Sequence, residues 1–347
     1  MKYDAEKLKL FTYQIMQKVG LNKEDSELFA ESLIRADMRG MSSHGVTRLK
    51  TYSYRLEAGL VDANAKIEVV SDAPSMLLID GHNGLGVPTA MKAMKLCVER
   101  AKQTGACFAA VKGGNHFGVG EYFSDYAANQ NMIGVAMANG PVALAPIGGR
   151  EAVLGTNPLS VSIPSGKYGC INLDMATSMV ARGKVALAAK EGRSIPEGWG
   201  IDADGHPTTD PNAVKCMIPF GGPKGFAICL IIEILSSCLS GAATGQTMGS
   251  FYDFSGKIQN SGFFLGAMDV GKIMDVDTFK KNVDDLSDSI KNSPKAEGCE
   301  EIFLPGEIEQ RKTLAAEKDG ISISDAVLNE LREISEKYGV PFSCELQ

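Results

Sequence analysis

The sequence predicts an α+β protein in which helices from both chain ends flank a strand-rich middle. Three observations carry that prediction. Amphipathic helical spacing fills roughly the first 60 residues and returns after about residue 275. Between these ends, short apolar runs rich in β-formers alternate with helices. The dinucleotide fingerprint GxGxxG is missing: Gly198, Gly200 and Ala203 in "EGWGIDA" come nearest, but they follow a proline-rich loop instead of a strand. Residues 1–66 with 275–347 are therefore expected to form a helical part, and residues 67–274 a sheet part.

The first helix, in "DAEKLKLFTYQIMQKVG", has Asp4 as its cap, a stripe of Leu8, Phe11, Ile15 and Val19, and Gly20 as its stop. "NKEDSELFAESLIRADMRG" repeats the pattern up to Gly40, and a third helix is expected from about Ser43 to Gly59, with Val46, Leu49 and Leu56 facing inward. Strands are expected in "IEVVSD", "SMLLIDG", "ACFAAVKGG", "MIGVAMANG", "SVSIPSG" and "CINLDMA", with helices at 87–103, 119–129 and 180–191. Residues 192–211 read as a long loop. "GFAICLIIEILSSCL" (225–239) is too short to cross a bilayer, contains Glu233, and reads as a buried helix. Three more helices close the chain: "DVDTFKKNVDDLSDSIKNS", "GEIEQRKTLAAEKDG" and "SDAVLNELREISEKYG".

The 347 residues carry a net charge of −7 with no long basic run, which argues against a nucleic-acid partner. The eight cysteines form no CxxC pair and no zinc spacing, so no metal is expected. "MKYDAEKLKLF" lacks the apolar core of a signal peptide. A reduced, soluble, cytoplasmic protein without a membrane partner is the expectation. No GxxxxGK[ST], HExxH or GxSxG occurs, so phosphoryl transfer, zinc hydrolysis and elbow-type serine chemistry have no support.

Five segments could carry chemistry, the last of them "FLPGEIEQRK" (303–312), a glycine turn opening a helix. On the expected third helix, His44, Arg48 and Tyr52 recur every four residues, about 40° apart around the axis, and so share one ridge. An arginine can grip a carboxylate with two parallel bonds while a histidine serves a neighbouring oxygen as acid or base; a plain solvent-facing polar ridge would present the same residues. "KGGNHFGVGEY" (112–122) is a glycine-dense strand-to-helix turn around His116, where Gly113, Gly114, Gly118 and Gly120 let backbone approach a ligand or merely supply left-handed turns. "INLDMATSMVARGKV" (171–185) ends a strand on Asp174, suited to ribose hydroxyls, with Thr177 as a helix cap or a phosphate contact. "PFGGPKGFAI" (219–228) puts Lys224 at a helix start, where the helix dipole opposes a cation unless an anion binds.

These segments resemble the malate/L-lactate dehydrogenases of the sulfolactate dehydrogenase-like type, NAD(P)-dependent oxidoreductases without a Rossmann fold. The resemblance rests on "ADMRGMSSHGVTRLKTY", "GGNHFG", "LGTNPLSVSIPS", "LDMATSMVARGKV", "IPEGWGIDADGHPTTDP", "GPKGFA" and "LPGE", which run in one order through nearly the whole chain. It implies a mainly antiparallel central sheet with a helical layer from both chain ends, and a homodimer with the site near the subunit boundary. It implies His44 as proton donor with Ser43 orienting the ring, Arg48 as carboxylate clamp, and Tyr52 and Thr156 as further substrate contacts. His116 would meet both cofactor and substrate, and takes the acid/base role in the ureidoglycolate branch. The cofactor would touch His116, Gly118, Gly120, Gly140, Asp174, Met175, Ala176, Thr177, Lys224, Pro305, Gly306 and Glu307. Imine-reducing members carry an acid just past the DMAT-like motif; Lys184 in "ARGKV" resembles the hydroxy-acid branches instead. Malate with oxaloacetate is the first expected substrate pair, then L-lactate, with ureidoglycolate the alternative and NAD preferred over NADP. A non-catalytic carboxylate- or nucleotide-binding protein is the rival of another class.

Overall fold

The two ends of the chain meet. In a computed structural model that describes residues 2–346, β1 (Lys2–Tyr3) pairs antiparallel with β11 (Ile321–Ser322). Helix α1 (Ala5–Lys18) starts where the Asp4 side chain accepts the Lys7 N–H, and it buries Leu8, Phe11 and Ile15 as its spacing predicts. Helix α2 (Lys23–Met38) has the same kind of cap in Asn22, which accepts from Asp25.

The third helix departs from expectation. Two 3₁₀ turns, Ser42–His44 and Val46–Arg48, precede a shorter α3 (Leu49–Glu57). The cause is Gly45. The Asp37 carboxylate occupies the space a side chain at 45 would need and accepts the Val46 N–H at 2.8 Å, which breaks the helical ladder. His44, Arg48 and Tyr52 therefore do not share one α-helical ridge. Val46, Leu49 and Leu56 face inward as expected, but Tyr52 is buried with them.

The middle of the chain builds the sheet. Strands β2 (Glu68–Ala73) and β3 (Met76–Asp80) lead into α4 (Gly86–Thr104), β4 (Ala106–Gly114), α5 (Glu121–Ala128) and β5 (Met132–Ala138). Then follow β6 (Leu159–Pro164), β7 (Cys170–Met175), α6 (Arg182–Lys190), a small hairpin of β8 (Gly200–Ile201) with β9 (Cys216–Met217), α7 (Pro223–Glu233) and β10 (Ser261–Asp269). Seven strands form one sheet in the order β2-β3-β4-β10-β5-β6-β7. Every pairing is antiparallel except β3 with β4, which the α4 crossover joins. The fold is thus α+β with a mainly antiparallel sheet, as the resemblance implies. Its central strand, β10, is absent from the expected set. Residues 261–267 of it are buried throughout, so it shows none of the alternation that marks a half-exposed strand.

The closing segments are α8 (Val276–Lys291), α9 (Glu307–Asp319) and α10 (Asp325–Tyr338). Helix α10 packs on α1 and α3, and α9 touches α2. Helix α8 goes elsewhere: its Asp284 accepts from Ser165 Oγ and from the Gly166 and Lys167 N–H groups at the β6–β7 turn. The apolar run 225–239 also differs from expectation. It is α-helical only to Glu233, continues as a π-helical turn (Ile234–Cys238), and leaves Ile228, Leu230, Ile231, Ile234 and Leu239 exposed. Its buried side faces Asn157, whose amide donates to the Cys229 carbonyl and the Glu233 carboxylate, so only that side is covered by this chain. Among the described residues no helix is long and apolar enough to cross a membrane.

Candidate active site

Two histidines from distant parts of the chain face each other. His44 lies on the first 3₁₀ turn and His116 on the loop between β4 and α5; their rings stack with centroids 5.6 Å apart and planes 22° from parallel. Gly86, at the start of α4, lets the carbonyls of Asn115 and His116 sit where a side chain would otherwise be, so the loop rests directly on that helix. Gln259 Oε1 accepts the His116 N–H at 3.0 Å.

Each imidazole has one nitrogen committed. Ser43 Oγ lies 2.9 Å from His44 Nδ1, and the Tyr52 hydroxyl is bonded to His116 Nδ1. Neither Nε2 has a hydrogen-bond partner among the described residues. Arg48 donates its Nε to the Ser43 carbonyl at 2.7 Å, while its Nη atoms have no hydrogen-bond partner among the described residues. The Tyr252 ring lies 5.4 Å from its Cζ. Phe251 closes the far side, with its ring 4.8 Å from His116 and 4.9 Å from Tyr52.

The electrostatics keep both imidazoles neutral. Burial first, and the Arg48 charge second, push His44 down to about 4. Burial, then His44, then Arg48 hold His116 well below the ordinary histidine range. Burial also raises Asp37 to about 7, against the single Val46 N–H that favours its charge. Two neutral bases beside one arginine are suited to receive a proton and a carboxylate together.

The second cluster is contiguous with the first through residues 116–120. The Glu121 N–H donates to Asp174 at 3.2 Å. Burial raises Asp174 to about 7. The Glu121 carboxylate is fully buried and paired with Arg35 of α2 and with Arg39, which caps that helix, so Glu121 ties the helical layer to the end of β7 that its N–H reaches. Among the described residues Thr156 makes no hydrogen bond to either histidine; its carbonyl accepts the Thr177 N–H at 2.8 Å and the Thr177 hydroxyl at 3.0 Å. The Gly140 N–H donates to Asn157 Oδ1 at 3.0 Å, so residues 140, 156 and 177 form one patch. The Phe220 N–H reaches the Thr177 carbonyl and brings in the α7 start. There Gly221 and Gly222 have positive φ with open space at the Cβ position, and exposed Lys224 lacks an ion-pair partner among the described residues.

The "PGE" turn docks on β7, with the Asn172 N–H donating to the Pro305 carbonyl at 3.0 Å. Glu307, however, is spent on Lys291 (2.6 Å), Arg311 (2.7 Å) and the Leu304 N–H (3.0 Å). The half-buried Asp174 carboxylate, the open glycine backbone at a helix start and the uncompensated Lys224 make a donor set that fits a ribose and a phosphate. Sequence reasoning missed Phe251, Tyr252, Gln259, Asp37 and Glu121. The "SFYDF" run (250–254) holds the aromatic residues among them, but only tertiary packing puts it beside a histidine.

Comparisons with known proteins identify the family and the fold. A family model described as malate/L-lactate dehydrogenase matches residues 3–332. An L-sulfolactate dehydrogenase of Methanocaldococcus jannaschii is 39% identical over 337 residues, 96% of each chain. The solved sulfolactate dehydrogenase from that organism matches with a TM-score of 0.93, covering 98% of both chains. A malate/(S)-sulfolactate dehydrogenase of Methanothermus fervidus is 37% identical over 329 residues, 94% of this chain and 95% of that one. The structure of malate dehydrogenase from Entamoeba histolytica matches with a TM-score of 0.94 at 31% identity, covering 99% of both chains.

Proposed function

We propose that this chain, which belongs to the malate/L-lactate dehydrogenase family, interconverts a small 2-hydroxy acid and its 2-oxo acid, with malate and oxaloacetate as the preferred pair. One observation supports this above others: two stacked imidazoles, each with Nδ1 tied to a hydroxyl, stand beside an arginine whose fork is open.

When bound, the nicotinamide dinucleotide supplies or accepts the hydride. Arg48 grips the substrate carboxylate with its Nη groups. In the oxidative direction neutral His44 takes the hydroxyl proton on Nε2, with Ser43 fixing the ring. The bound carboxylate offsets the Arg48 charge that disfavours the imidazolium, so protonation becomes easier once substrate is present. In the reductive direction the same nitrogen returns the proton to the developing alkoxide. Tyr52 holds His116 as the second wall of the pocket and, with Thr156, contacts substrate. If His116 carried the proton instead, Tyr52 would play the orienting part that Ser43 plays for His44.

The cofactor would lie along Gly118, Gly120, Gly140, Asp174, Met175, Ala176 and Thr177 toward Lys224, with Pro305 and Gly306 bordering β7. Glu307 would then act by shaping its turn, since its carboxylate already has two cations. NAD is the first choice. The exposed Arg182 and Lys184 at the α6 start are the groups a 2′-phosphate would use, so NADP belongs in the same assay. A second substrate, 3-sulfolactate, is favoured by the name of a relative 39% identical to this chain. A homodimer is supported by the apolar side chains that α7 and the following turn leave uncovered.

The test is oxidation of NADH and NADPH in parallel by the wild type and the His44→Ala, His116→Ala and Arg48→Ala variants. Oxaloacetate, pyruvate and 3-sulfopyruvate are the oxo acids, with ureidoglycolate run oxidatively. Turnover of oxaloacetate is expected, with kcat about 10²–10⁴-fold lower in His44→Ala and mainly KM raised in Arg48→Ala. Loss confined to His116→Ala moves the proton role there. Nicotinamide binding without turnover of any acid would favour the non-catalytic rival.

A further inference from the structure

Arg55 sits on α3 three residues past Tyr52 and is fully buried. Among the described residues no carboxylate bonds to it. Its Nη1 donates to the carbonyls of Phe251 (3.1 Å), Asp253 (2.9 Å) and Ser250 (3.4 Å), while Nε and Nη2 have no hydrogen-bond partner among the described residues. The rings of Phe251 and Phe254 lie 5.8 and 5.9 Å from its Cζ. A buried guanidinium held only by carbonyls, with two N–H positions unbonded, is an expensive way to fill space. An apolar side chain would fill it without that cost.

What Arg55 grips forms a wall of the site. Phe251 packs on His116 and Tyr52, and Tyr252 lies across the Arg48 guanidinium. We infer that Arg55 is a positioning residue: by holding the carbonyls of Ser250, Phe251 and Asp253 it keeps Phe251 pressed on His116 and Tyr252, between two of them, across Arg48. It thereby excludes water from the histidine pair and aims the carboxylate clamp. This assignment rests on the reaction class proposed above. The groups facing His116 are His44 and Arg48 from the 3₁₀ turns, Tyr52 from α3, and the uncharged Phe251 from the gripped segment. Facing Arg55 is Asp253, itself near Lys257. Release of the segment would let water reach His116, and burial is the first cause that holds its protonation down.

The experiment is an NMR titration of ¹⁵N-histidine-labelled protein, with steady-state kinetics on the oxo acid that the wild type accepts. The variants are Arg55→Met, which keeps length and apolar bulk, Arg55→Lys, which keeps the charge without the fork, and Phe251→Ala, which leaves Arg55 intact. In Arg55→Met the His116 midpoint should rise by about one pH unit toward the ordinary range, and KM should rise about tenfold, more than kcat falls. Phe251→Ala should reproduce the His116 shift, and Arg55→Lys should fall between. A folded Arg55→Met with unchanged His116 midpoint and KM overturns the inference. If Arg55→Met does not fold, unchanged His116 titration in the other two variants overturns it as well. A wild type that turns over no acid defeats the reaction proposal, while the His116 titration still decides the role of Arg55.

Discussion

Gly45→Ala tests how the chain places His44. The glycine has ordinary negative φ (−87°), so the obstacle is space, not backbone handedness. A Cβ there would sit well inside 3.0 Å of three atoms of the Asp37 carboxyl group, nearer than real Cβ atoms approach a neighbour. Asp37 is half-buried and holds the Val46 N–H at 2.8 Å, so it cannot swing away without leaving that donor unpaired. Overpacking of this kind costs about 1–3 kcal/mol, and an unpaired buried N–H adds about 1–3 kcal/mol. The alternative response is a backbone shift at residues 44–46, and misplacement of a reacting group by about 1 Å costs on the order of 10²-fold in rate. Thermal unfolding and kcat should therefore both suffer. The double variant Gly45→Ala/Asp37→Ala removes the clash, and its stability should exceed the sum of the single effects by about 0.5–3 kcal/mol. Gly45→Ala with wild-type melting temperature and wild-type kcat would refute the account of this turn. So would a double variant whose losses simply add.

Two further outcomes are expected. His44 has its folded pKa depressed to about 4 from an ordinary 6.5, so its contribution to stability is whole above about pH 6.5 and is lost as pH falls toward 4. Asp37 is raised to about 7, so its contribution runs the opposite way, declining as pH rises from about 4 through 7. The two windows overlap with opposite signs, so over pH 4 to 8 stability should gain less, or lose more, with rising pH in His44→Asn than in the wild type, and gain more, or lose less, in Asp37→Asn; an unchanged pH dependence in melting curves contradicts the assignments. Ile231 is 55% exposed at the centre of the uncovered α7 face, so Ile231→Asp should turn a dimer into monomers by light scattering. A wild type already monomeric at micromolar concentration would rule the homodimer out.

Much of the molecule was legible in one dimension because its signals are local. Asp4 and Asn22 cap their helices, and the Leu8, Phe11, Ile15 stripe is buried, since capping and 3.6-residue spacing involve neighbours in sequence. The glycine-dense turn around His116 and the strand ending on Asp174 were found for the same reason. The helix expected from Ser43 to Gly59 failed because the residue that breaks it, Asp37, belongs to the preceding helix.

The sequence by itself determined the α+β class, the helical ends, the absence of a Rossmann fingerprint and the local segments from which the candidate site is proposed. Tertiary structure alone decided that β10 is the central strand, because a strand buried on both faces carries no alternation. It alone stacked His44 on His116 from 72 positions away in the numbering, and it alone set Phe251 against His116 and Tyr252 against Arg48, with Arg55 holding the Phe251 carbonyl. It also showed that the most apolar helix is covered on one side only. Periodicity reports which residues leave water, whereas which surfaces they meet depends on contacts between segments far apart in the chain, and no local pattern encodes those.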